Sequence, residues 1–281
     1  MRRQTSPKHM EKLQVLVAAM DQTDLSLVNK MNLACSAVIA NQTDHFGYDC
    51  ENTDAGRFVM ISTDTVGVGV NRNIALLASD SEFILFADDD LRYYDELEKN
   101  ILSAFDENPK ADAIIFGIDL MKNGEIYERR HLKNRRLRLW NSMRYGAPVL
   151  AARRSAIVKS GITFNTCFGG GCIYGSGEDS LFIKACFDKG LRVYSCEYVL
   201  GIRRNDSSSW FSGCDEKYFY DKGALMGCLF PRLKHLMALY FAVRCKRPTK
   251  IGCGKRIRLM LAGLDGVKKL IPYSEYAFKE Q

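Results

Sequence analysis

Short apolar runs alternate along most of the chain with segments in which apolar residues recur every three or four positions. Such runs favour buried strands, and they lie at Leu13–Ala19, Ala37–Ala40, Phe58–Ile61, Phe83–Ala87, Ala113–Ile118, Ala147–Ala152 and Leu191–Cys196. The helical spacing predicts helices from Asp24, from about Asn71, over Asp95–Asn108, Arg154–Lys159 and Glu178–Lys189, and after Tyr218. This alternation predicts the α/β class, with a mostly parallel sheet flanked by helices.

Glycine marks the predicted turns between these elements. Asn123-Gly124 predicts a hairpin whose return strand is Ile126–Arg130. Gly67 and Gly69 lie in a predicted loop, 63–70, just before a helix. Phe168–Gly177 is rich in glycine and is expected to form a loop that lets a substrate approach the helix behind it.

Polar residues follow the predicted parallel strands at their carboxyl ends. Asp21 follows the first strand, Asn41 and Gln42 follow the second, and Asp88–Asp90 ends the fourth. In open α/β sheets, ligands bind beyond the carboxyl ends of the strands. Asp21, Asn41 and Gln42 are therefore candidate contacts for a nucleotide at this rim.

The acidic run Asp88–Asp90 is a candidate metal site. In an extended strand Asp88 and Asp90 share one side and Asp89 faces the other. Adjacent carboxylates repel one another unless a cation neutralises them, and Mg²⁺ or Mn²⁺ combines carboxylates with phosphate oxygens and water. The alternative is a solvated loop that caps the next helix. The apolar strand that leads into the run favours the metal interpretation.

A second carboxylate pair, Glu178 and Asp179, opens an apolar helix after Gly175-Ser176-Gly177. Carboxylates in a first helical turn are stabilised by the helix dipole and by the unpaired amides there, which is the structural interpretation. The functional interpretation is a base that takes a proton from an acceptor hydroxyl.

Two basic segments are candidate contacts for phosphate. Gly67-Val68-Gly69 and Arg72 precede or open a helix, as in a phosphate cradle, although the spacing matches neither the dinucleotide fingerprint nor the P-loop. The polar segment 203–210, which begins with Arg203 and Arg204, is expected to be a loop that closes over a diphosphate or a simple turn.

Charge is concentrated at the C-terminus. Residues 231–281 contain 12 Lys and Arg against 3 Asp and Glu, a net charge of +9, whereas the whole chain carries +7. Leu233, Leu236, Met237 and Tyr240 share one face of the helix predicted there. That face either packs on the main domain or contacts an anionic membrane leaflet.

Composition places the protein among ordinary globular chains, with 281 residues and 47% hydrophobic residues. Ten cysteines lack metal-site spacing, which favours reduced thiols in the cytoplasm. The first apolar run is too short to span a bilayer. We therefore expect a cytoplasmic protein, with peripheral attachment to the inner face of the cell membrane as the alternative.

Taken in order, these motifs resemble glycosyltransferase family 2, the inverting GT-A enzymes, and in particular those that build bacterial cell-surface polysaccharides. The resemblance spans roughly 13–210: a first strand, a Gly-x-Gly-x-x-Arg-Asn helix start, Asp-x-Asp at Asp88 and Asp90, and a Glu-Asp pair at 178–179. It implies an N-terminal extension (1–12), a GT-A domain with a nucleotide-binding half (13–94) and an acceptor-binding half (95–212), and a basic helical C-terminal region (213–281).

The resemblance also implies roles for these residues. Asp90 and Asp88 would bind Mn²⁺ or Mg²⁺ at the donor diphosphate. Asp179 would be the catalytic base and Glu178 would orient the acceptor. Asp21, Asn41, Gln42, Arg72, Asp88 and Asp89 would bind the donor, with Arg203–Ser209 as a mobile loop. The expected partners are a nucleotide-sugar, by family frequency a UDP-sugar, and a saccharide or lipid-linked saccharide; no nucleic acid is expected.

The sequence departs from the family pattern in three places. The first strand ends Ala18-Ala19-Met20-Asp21 and the second ends Ala40-Asn41-Gln42, where other residues are common in the family, so the base contacts stay open. Arg203 and Arg204 stand where a histidine is common, which argues against a third metal ligand there. The Gln-x-x-Arg-Trp signature of processive synthases is missing, which favours addition of a single sugar.

Three other functions stay open. A sugar-1-phosphate nucleotidyltransferase usually has a Gly-rich basic loop after its first strand, but residues 20–24 here are acidic. A nucleic-acid-binding protein would use the basic tail and the stretch 129–144, but would leave both acidic clusters unexplained. An inactive relative of the transferases would lack nucleotide-sugar hydrolysis. The transferase interpretation requires both acidic clusters to border one cleft.

Overall fold

The computed structural model describes residues 11–204, 213–245 and 248–279. Their contacts divide the chain into two compact units. The first unit contains the described residues within 11–65, 71–163 and 185–204. The second unit contains 66–70, 164–184 and the described residues from 213 onward. All of the strands described below belong to the first unit.

The described residues of the first unit form one eleven-stranded sheet. Its strands are β1 Leu13–Met20, β2 Ala37–Gln42, β3 Gly47–Thr53, β4 Gly56–Thr63, β5 Phe83–Asp88, β6 Leu91–Tyr93, β7 Ala113–Lys122, β8 Glu125–Arg130, β9 Arg135–Arg136, β10 Leu150–Arg153 and β11 Val193–Arg204. The strand order is β3-β4-β2-β1-β5-β10-β7-β11-β6, with β8 paired to β7 and β9 to β11.

The sheet is mixed, whereas the sequence predicted a mostly parallel one. Strands β4, β2, β1 and β5 are parallel neighbours, and β7 pairs in parallel with β11. The other pairings are antiparallel. The parallel part carries the predicted ligand rim. Met20 pairs with Gln42 and Ala18 pairs with Asp88, so these strands end side by side.

The helices, in chain order, are α1 Leu27–Lys30, α2 Val68–Ala78, α3 Leu97–Glu107, α4 Leu139–Ser142, α5 Arg154–Lys159, α6 Glu178–Asp188, α7 Glu216–Leu229, α8 Lys234–Arg244, α9 Cys253–Gly266 and α10 Tyr273–Lys279. Helices α2 and α6 each contain residues of both units, and α7 to α10 belong to the second unit.

Apolar periodicity accounts for the core of the first unit. Strand β1 is buried along nearly its whole length, and α3 buries Leu97, Ile101, Ala104 and Phe105. Each such large side chain stabilises the fold by about 1.5–3 kcal/mol when it is fully buried. The α/β class predicted from the alternation of runs is confirmed.

The predicted hairpin is also confirmed, between β7 and β8. Asn123 and Gly124 both adopt positive φ, at 52° and 83°, as the two central residues of a type I′ turn must. Lys122 pairs with Glu125 across the turn.

Three predicted boundaries are wrong. Helix α2 begins at Val68 rather than near Asn71, so Gly69 lies inside the helix, where its lack of a side chain permits a close contact. A Cβ atom there would lie 2.6 Å from the carbonyl oxygen of Asn165. The predicted strand 147–152 is a 3₁₀ turn, with Pro148 in it, followed by β10. Strand β11 continues through Arg204 instead of ending at Cys196.

In the second unit, glycines allow two helices to cross closely. A Cβ atom at Gly223 of α7 would lie 2.1 Å from the carbonyl oxygen of Met260, and one at Gly263 of α9 would lie 2.0 Å from that of Tyr220. Helix α8 packs on both of these helices. In the part of the chain that the structure describes, no helix has the length and apolarity needed to cross a membrane.

Candidate functional site

Two arginines hold the acidic run at the end of β5. Arg72 is buried, and its Nη2 donates to Oδ1 of Asp88 at 2.8 Å. Arg203 Nη2 donates to the other oxygen, Oδ2, at 2.9 Å. Both carboxylate oxygens of Asp88 therefore accept hydrogen bonds from guanidinium groups.

Arg203 also reaches the second carboxylate of the Asp-x-Asp motif. Its Nε donates to Oδ2 of Asp90 at 2.8 Å, so one guanidinium bridges Asp88 and Asp90. Antiparallel pairing between β11 and β6 positions the Arg203 guanidinium. Arg203 pairs with Leu91, and the Arg204 amide donates to the Asp90 carbonyl at 3.1 Å.

The geometry of Asp88–Asp90 differs from the extended run that the sequence predicted. Strand β5 ends at Asp88, and Asp89 and Asp90 form a turn before β6. Asp88 and Asp90 nevertheless meet at Arg203. The Asp89 carboxylate lies elsewhere and accepts a long hydrogen bond from the Met20 amide at 3.4 Å, so it contacts the end of β1.

Asp90 has an unused buried oxygen. Its Oδ1 is buried and has no hydrogen-bond partner among the described residues. Burial raises the pKa of the Asp90 carboxyl to about 6, and the Arg203 guanidinium opposes that rise. A buried carboxylate oxygen without a partner is unfavourable, which makes this atom suited to contact a cation or a donor group.

A divalent cation fits this cluster in its oxygen chemistry, but the charges of the two paired carboxylates are already balanced. Asp88 and Asp90 face the guanidinium groups of Arg72 and Arg203, and Asp90 Oδ1 is an unused oxygen ligand of the kind that Mg²⁺ and Mn²⁺ prefer. Among the described residues no group of three or more His, Cys, Asp or Glu side chains could hold a metal by itself. Additional ligands would have to come from water or from a diphosphate.

Asn41 has a structural role at the end of β2. Its side chain is buried, accepts from the Gln22 amide at 3.0 Å, and donates to the Gln22 carbonyl at 2.8 Å and to Ser62 Oγ at 3.0 Å. These bonds engage both the oxygen and the nitrogen of the carboxamide and fix the loop that follows β1. Asn41 therefore positions neighbouring residues at the rim.

Asp21 and Gln42 lie beside this loop, at the ends of β1 and β2. Asp21 is exposed and has a φ of 52°, a left-handed conformation in which Asp is common among non-glycine residues. Its amide donates to the Gln42 carbonyl at 2.9 Å. Both residues lie on the edge of the sheet where a nucleotide was predicted.

The glycine segment before Arg72 does not form an open phosphate cradle. Helix α2 already includes Val68, whose amide donates to the Gly170 carbonyl at 3.2 Å, and the Val70 amide donates to Gly67 at 3.0 Å. These helix-terminal amides are therefore engaged within the protein. Arg72 acts at the rim through Asp88.

Glu178 and Asp179 open α6 and lie in the second unit. Glu178 is buried and accepts a hydrogen bond from the Gly177 amide at 3.0 Å through Oε2. Asp179 is only partly buried. Of the two carboxylates, Asp179 is the one more accessible to a substrate.

The glycine-rich loop before α6 is tied down by hydrogen bonds. The Gly169 amide donates to the Tyr174 carbonyl at 2.9 Å, and the Tyr174 amide donates to Cys167 at 3.0 Å. Gly175 donates from its amide to Asp221 Oδ2 at 2.9 Å. A Cβ atom at Gly169 would lie 3.0 Å from the Glu178 carboxyl group. The glycines therefore let the loop pack on Glu178.

The predicted loop Arg203–Ser209 is corrected in part. Arg203 and Arg204 are the last residues of β11 and not part of a loop. Positions 205–209 lie outside the described residues. Arg203 was predicted to contact a diphosphate, and in the structure it donates hydrogen bonds to Asp88 and Asp90.

A cavity of about 790 Å³ lies within the second unit. Its lining residues are Glu216, Gly254, Lys255, Arg258, Leu259, Tyr273, Tyr276 and Ala277. The residues predicted for donor binding, metal binding or catalysis are not among them, so this cavity does not locate the transfer site.

Sequence reasoning missed two contributors to the rim. It did not pair Arg203 with the Asp-x-Asp motif, although an arginine that replaces a common histidine was a signal that the charge there had changed. It also missed Gln22, whose backbone binds Asn41 and whose Nε2 donates to the Met20 carbonyl at 2.7 Å. No sequence pattern marked Gln22.

Comparisons with known proteins agree with this architecture. The model of the family "Glycosyl transferase family 2" matches residues 40–162, from β2 to just beyond α5 and including Asp88–Asp90. No curated protein matches the chain in sequence.

Several solved structures share the fold. S. aureus TarS 1–349 in complex with UDP-GlcNAc is 15% identical, with a TM-score of 0.62, over 95% of this chain and 83% of that one. The same protein in complex with UDP is 17% identical, with a TM-score of 0.58, over 96% and 87% of the two chains. The predicted resemblance is confirmed over residues 40–162, which match the model of that family; the chain shares the GT-A fold of these structures, and both findings support the predicted enzyme class, a glycosyltransferase.

Proposed function

We propose that this enzyme transfers a sugar, with inversion, from a UDP-sugar to a hydroxyl group of a saccharide or lipid-linked saccharide. The observation that carries the proposal is the acidic cluster at the end of β5, where Asp90 keeps a buried, unpartnered oxygen beside two guanidinium groups. Such a site has both the carboxylate oxygens that a divalent cation binds and the positive groups that a diphosphate requires.

UDP is the proposed nucleotide because S. aureus TarS, which shares the fold, was crystallised with UDP-GlcNAc and with UDP. Asp21, Gln42 and Asp89 would contact the nucleoside side of the donor at the carboxyl ends of β1, β2 and β5. Asn41 would hold the loop after β1 in place through Gln22.

The metal proposed is Mn²⁺ or Mg²⁺, held by Asp90 and Asp88. When bound, such an ion offsets the negative charge that develops on the departing diphosphate. Arg72 keeps Asp88 in place from the buried side. Arg203 now bridges both carboxylates, and it would turn toward the diphosphate when the donor binds.

Asp179 is the proposed catalytic base. It accepts the proton of the acceptor hydroxyl while that oxygen forms a bond to the anomeric carbon. The bond from that carbon to the diphosphate oxygen breaks on the opposite face, UDP leaves with the electron pair, and the configuration inverts. Glu178, buried against Gly177 and the loop before it, would keep the start of α6 in position for the acceptor.

The acceptor is proposed to receive a single sugar, in the synthesis of a cell-surface polysaccharide or glycolipid. The sequence lacks the tryptophan signature of processive synthases. Product analysis by mass spectrometry would show one added sugar for each acceptor molecule, and a ladder of products would contradict this part of the proposal.

A thermal-shift panel tests donor and metal together. UDP with Mn²⁺ should raise the melting temperature of the wild type more than either ligand alone, because a ligand that binds only the folded form stabilises it. Asp90→Ala should lose that synergy. Asp106→Ala, which removes an exposed carboxylate from α3, is the matched control and should keep it. Equal shifts in Asp90→Ala and wild type would contradict the proposal.

Two assays separate the rival functions. A sugar-1-phosphate nucleotidyltransferase would release pyrophosphate from a nucleoside triphosphate, and this chain should release none. An inactive relative would fail to hydrolyse UDP-sugars with Mn²⁺ when no acceptor is present, whereas slow hydrolysis is expected here.

A further inference from the structure

Helix α8 has one face packed in the protein and one face exposed. Ala238 and Ala242, one turn apart, are fully buried, and α8 contacts α7 and α9. The opposite side presents a stripe at helical spacing: Leu236, Leu239, Tyr240 and Val243, with exposed fractions of 61%, 45%, 56% and 54%. We call these four residues the α8 stripe.

The exposed face of α8 largely coincides with the helix face that, in one of the two alternatives drawn from the sequence, packs on the main domain. Leu233, Leu236 and Tyr240 were candidates to bury against the main domain, but Leu233 is also 56% exposed. Only Met237 of that predicted face is partly covered. A contiguous apolar stripe in water is unfavourable, and such patches commonly mark sites of contact with a partner or a membrane.

The charges around α8 identify the partner's chemistry. Residues 222–264 contain ten Lys and Arg and no Asp or Glu, although Lys255 pairs with Glu216 and Asp265, the next residue, lies near Lys234. Arg232 and Arg244, just before the helix and at its end, are exposed. A second copy of the chain would bring the same cations against them, which repel. An anionic surface complements them instead.

The apolar stripe and the surrounding cations together match an interfacial helix. In such helices, apolar side chains enter the boundary between lipid headgroups and acyl chains while Lys and Arg contact anionic headgroups. Tyrosine is enriched at that boundary because its ring is amphipathic. Eleven residues span only about 16 Å, about half of a bilayer's apolar core, so α8 would lie on the membrane.

We propose that α8 is a membrane-contact element: the α8 stripe inserts into an anionic lipid surface while Arg232, Lys234 and Arg244 bind the phosphate groups of its lipids. The proposal depends neither on the donor nor on catalysis. It assigns Arg232, Lys234 and Arg244 to lipid, and it excludes a soluble polyanion as their principal partner, because a polyanion would not use the apolar stripe.

Co-sedimentation with vesicles tests the proposal on the full-length protein. Vesicles of phosphatidylcholine with about one third phosphatidylglycerol should bind the wild type, and pure phosphatidylcholine vesicles should bind it at least tenfold more weakly. Each cation at an anionic surface contributes about fivefold in affinity. Binding to the anionic vesicles should weaken as salt is raised.

Paired variants separate the contributions of the stripe and the cations. Leu236→Gln/Leu239→Gln should weaken binding to anionic vesicles at least tenfold. Leu77→Gln/Val158→Gln, which removes two exposed apolar side chains (78% and 49%) from α2 and α5, should not weaken it. The contribution of the cations is tested with the triple variant Arg232→Gln/Lys234→Gln/Arg244→Gln, which should weaken binding to anionic vesicles. Its control is the triple variant Lys122→Gln/Lys159→Gln/Lys189→Gln, which should not weaken that binding.

Three outcomes would overturn the proposal. Wild-type protein that stays in solution with anionic vesicles does so directly. Binding that depends on the cations but not on Leu236 and Leu239 would indicate a soluble polyanion instead. Concentration-dependent dimerisation that the stripe variant abolishes, without vesicle binding, would assign the stripe to a second copy. Circular dichroism of each variant shows whether it is folded.

Discussion

Replacing Arg203 by glutamine tests whether a guanidinium neutralises the Asp-x-Asp motif. Arg203 donates hydrogen bonds to Asp88 at 2.9 Å and to Asp90 at 2.8 Å. Hydrogen bonds to charged groups contribute about 1.5–3 kcal/mol each. The Arg203 side chain is 38% exposed, so solvent screening reduces the summed contribution of the two hydrogen bonds to about half.

We therefore expect Arg203→Gln to lower the free energy of unfolding by about 1.5–3 kcal/mol. For a domain of this size, about 1 kcal/mol shifts the melting temperature by about 2–4 °C, so the expected decrease is about 3–12 °C. The variant should also respond more strongly to Mn²⁺ without nucleotide, because Asp88 and Asp90 lose the cation that bridges them.

Differential scanning fluorimetry with and without millimolar Mn²⁺ measures both effects. Arg192→Gln is the matched control: Arg192 donates two side-chain hydrogen bonds to Asp112, at 3.0 Å and 3.2 Å, and is 42% exposed. It should lose comparable stability and gain no response to Mn²⁺. An unchanged melting temperature in Arg203→Gln, or an equal Mn²⁺ response in the control, would refute the reasoning.

Three further predictions concern the rim and the loop before α6. Because the pKa of Asp90 is about 6, a proton competes with the metal for this carboxylate at lower pH. Calorimetry should therefore show that the affinity for Mn²⁺–UDP falls by up to about tenfold per pH unit below 6. An affinity that does not change with pH would contradict this prediction. Asn41→Ala removes three hydrogen bonds and should lower the free energy of unfolding by about 2–4 kcal/mol in urea denaturation; a loss below about 1 kcal/mol would contradict its structural role. Gly169→Ala, at φ 113° with its Cβ atom 2.6 Å from Val68, should destabilise by about 1–3 kcal/mol more than Gly190→Ala, at φ 76° with open space; equal losses would mean that the contact is unimportant.

The parallel part of the sheet could be predicted because local patterns determine it. Strands β1, β2, β4 and β5 are apolar runs, buried over most of their length, and the helix that follows β6 shows the expected spacing. Strand β3 could not be recognised, because GYDCENT is polar and nearly all exposed. It is held by its antiparallel pairing with β4, which no local pattern reports.

The contents of the candidate site were predictable to a smaller degree. Acidic residues after an apolar strand indicated charge at the rim, and the pairing of β1, β2 and β5 brings that rim together. The partner of Asp90 lies 113 residues away, and only tertiary structure reveals it. Asn41 was predicted to contact a ligand because a polar residue ended a strand, yet the Gln22 backbone and the Ser62 hydroxyl bind its carboxamide.

The packing face of α8 was also ambiguous in the sequence. Two stripes with helical spacing compete: the large residues of the α8 stripe, and the small pair Ala238 and Ala242. The small pair is the buried one, because small side chains let helices approach closely. Hydrophobicity alone favoured the wrong face.

The most direct test of the proposed chemistry is the rate at which Asp179→Asn transfers sugar from UDP-sugar to acceptor. A general base typically contributes 10²- to 10⁴-fold, so transfer should fall by at least about 100-fold while Mn²⁺–UDP affinity stays within about twofold of the wild type. Asp188→Asn, at the far end of the same helix, should transfer at the wild-type rate. Near-normal transfer by Asp179→Asn would contradict the account.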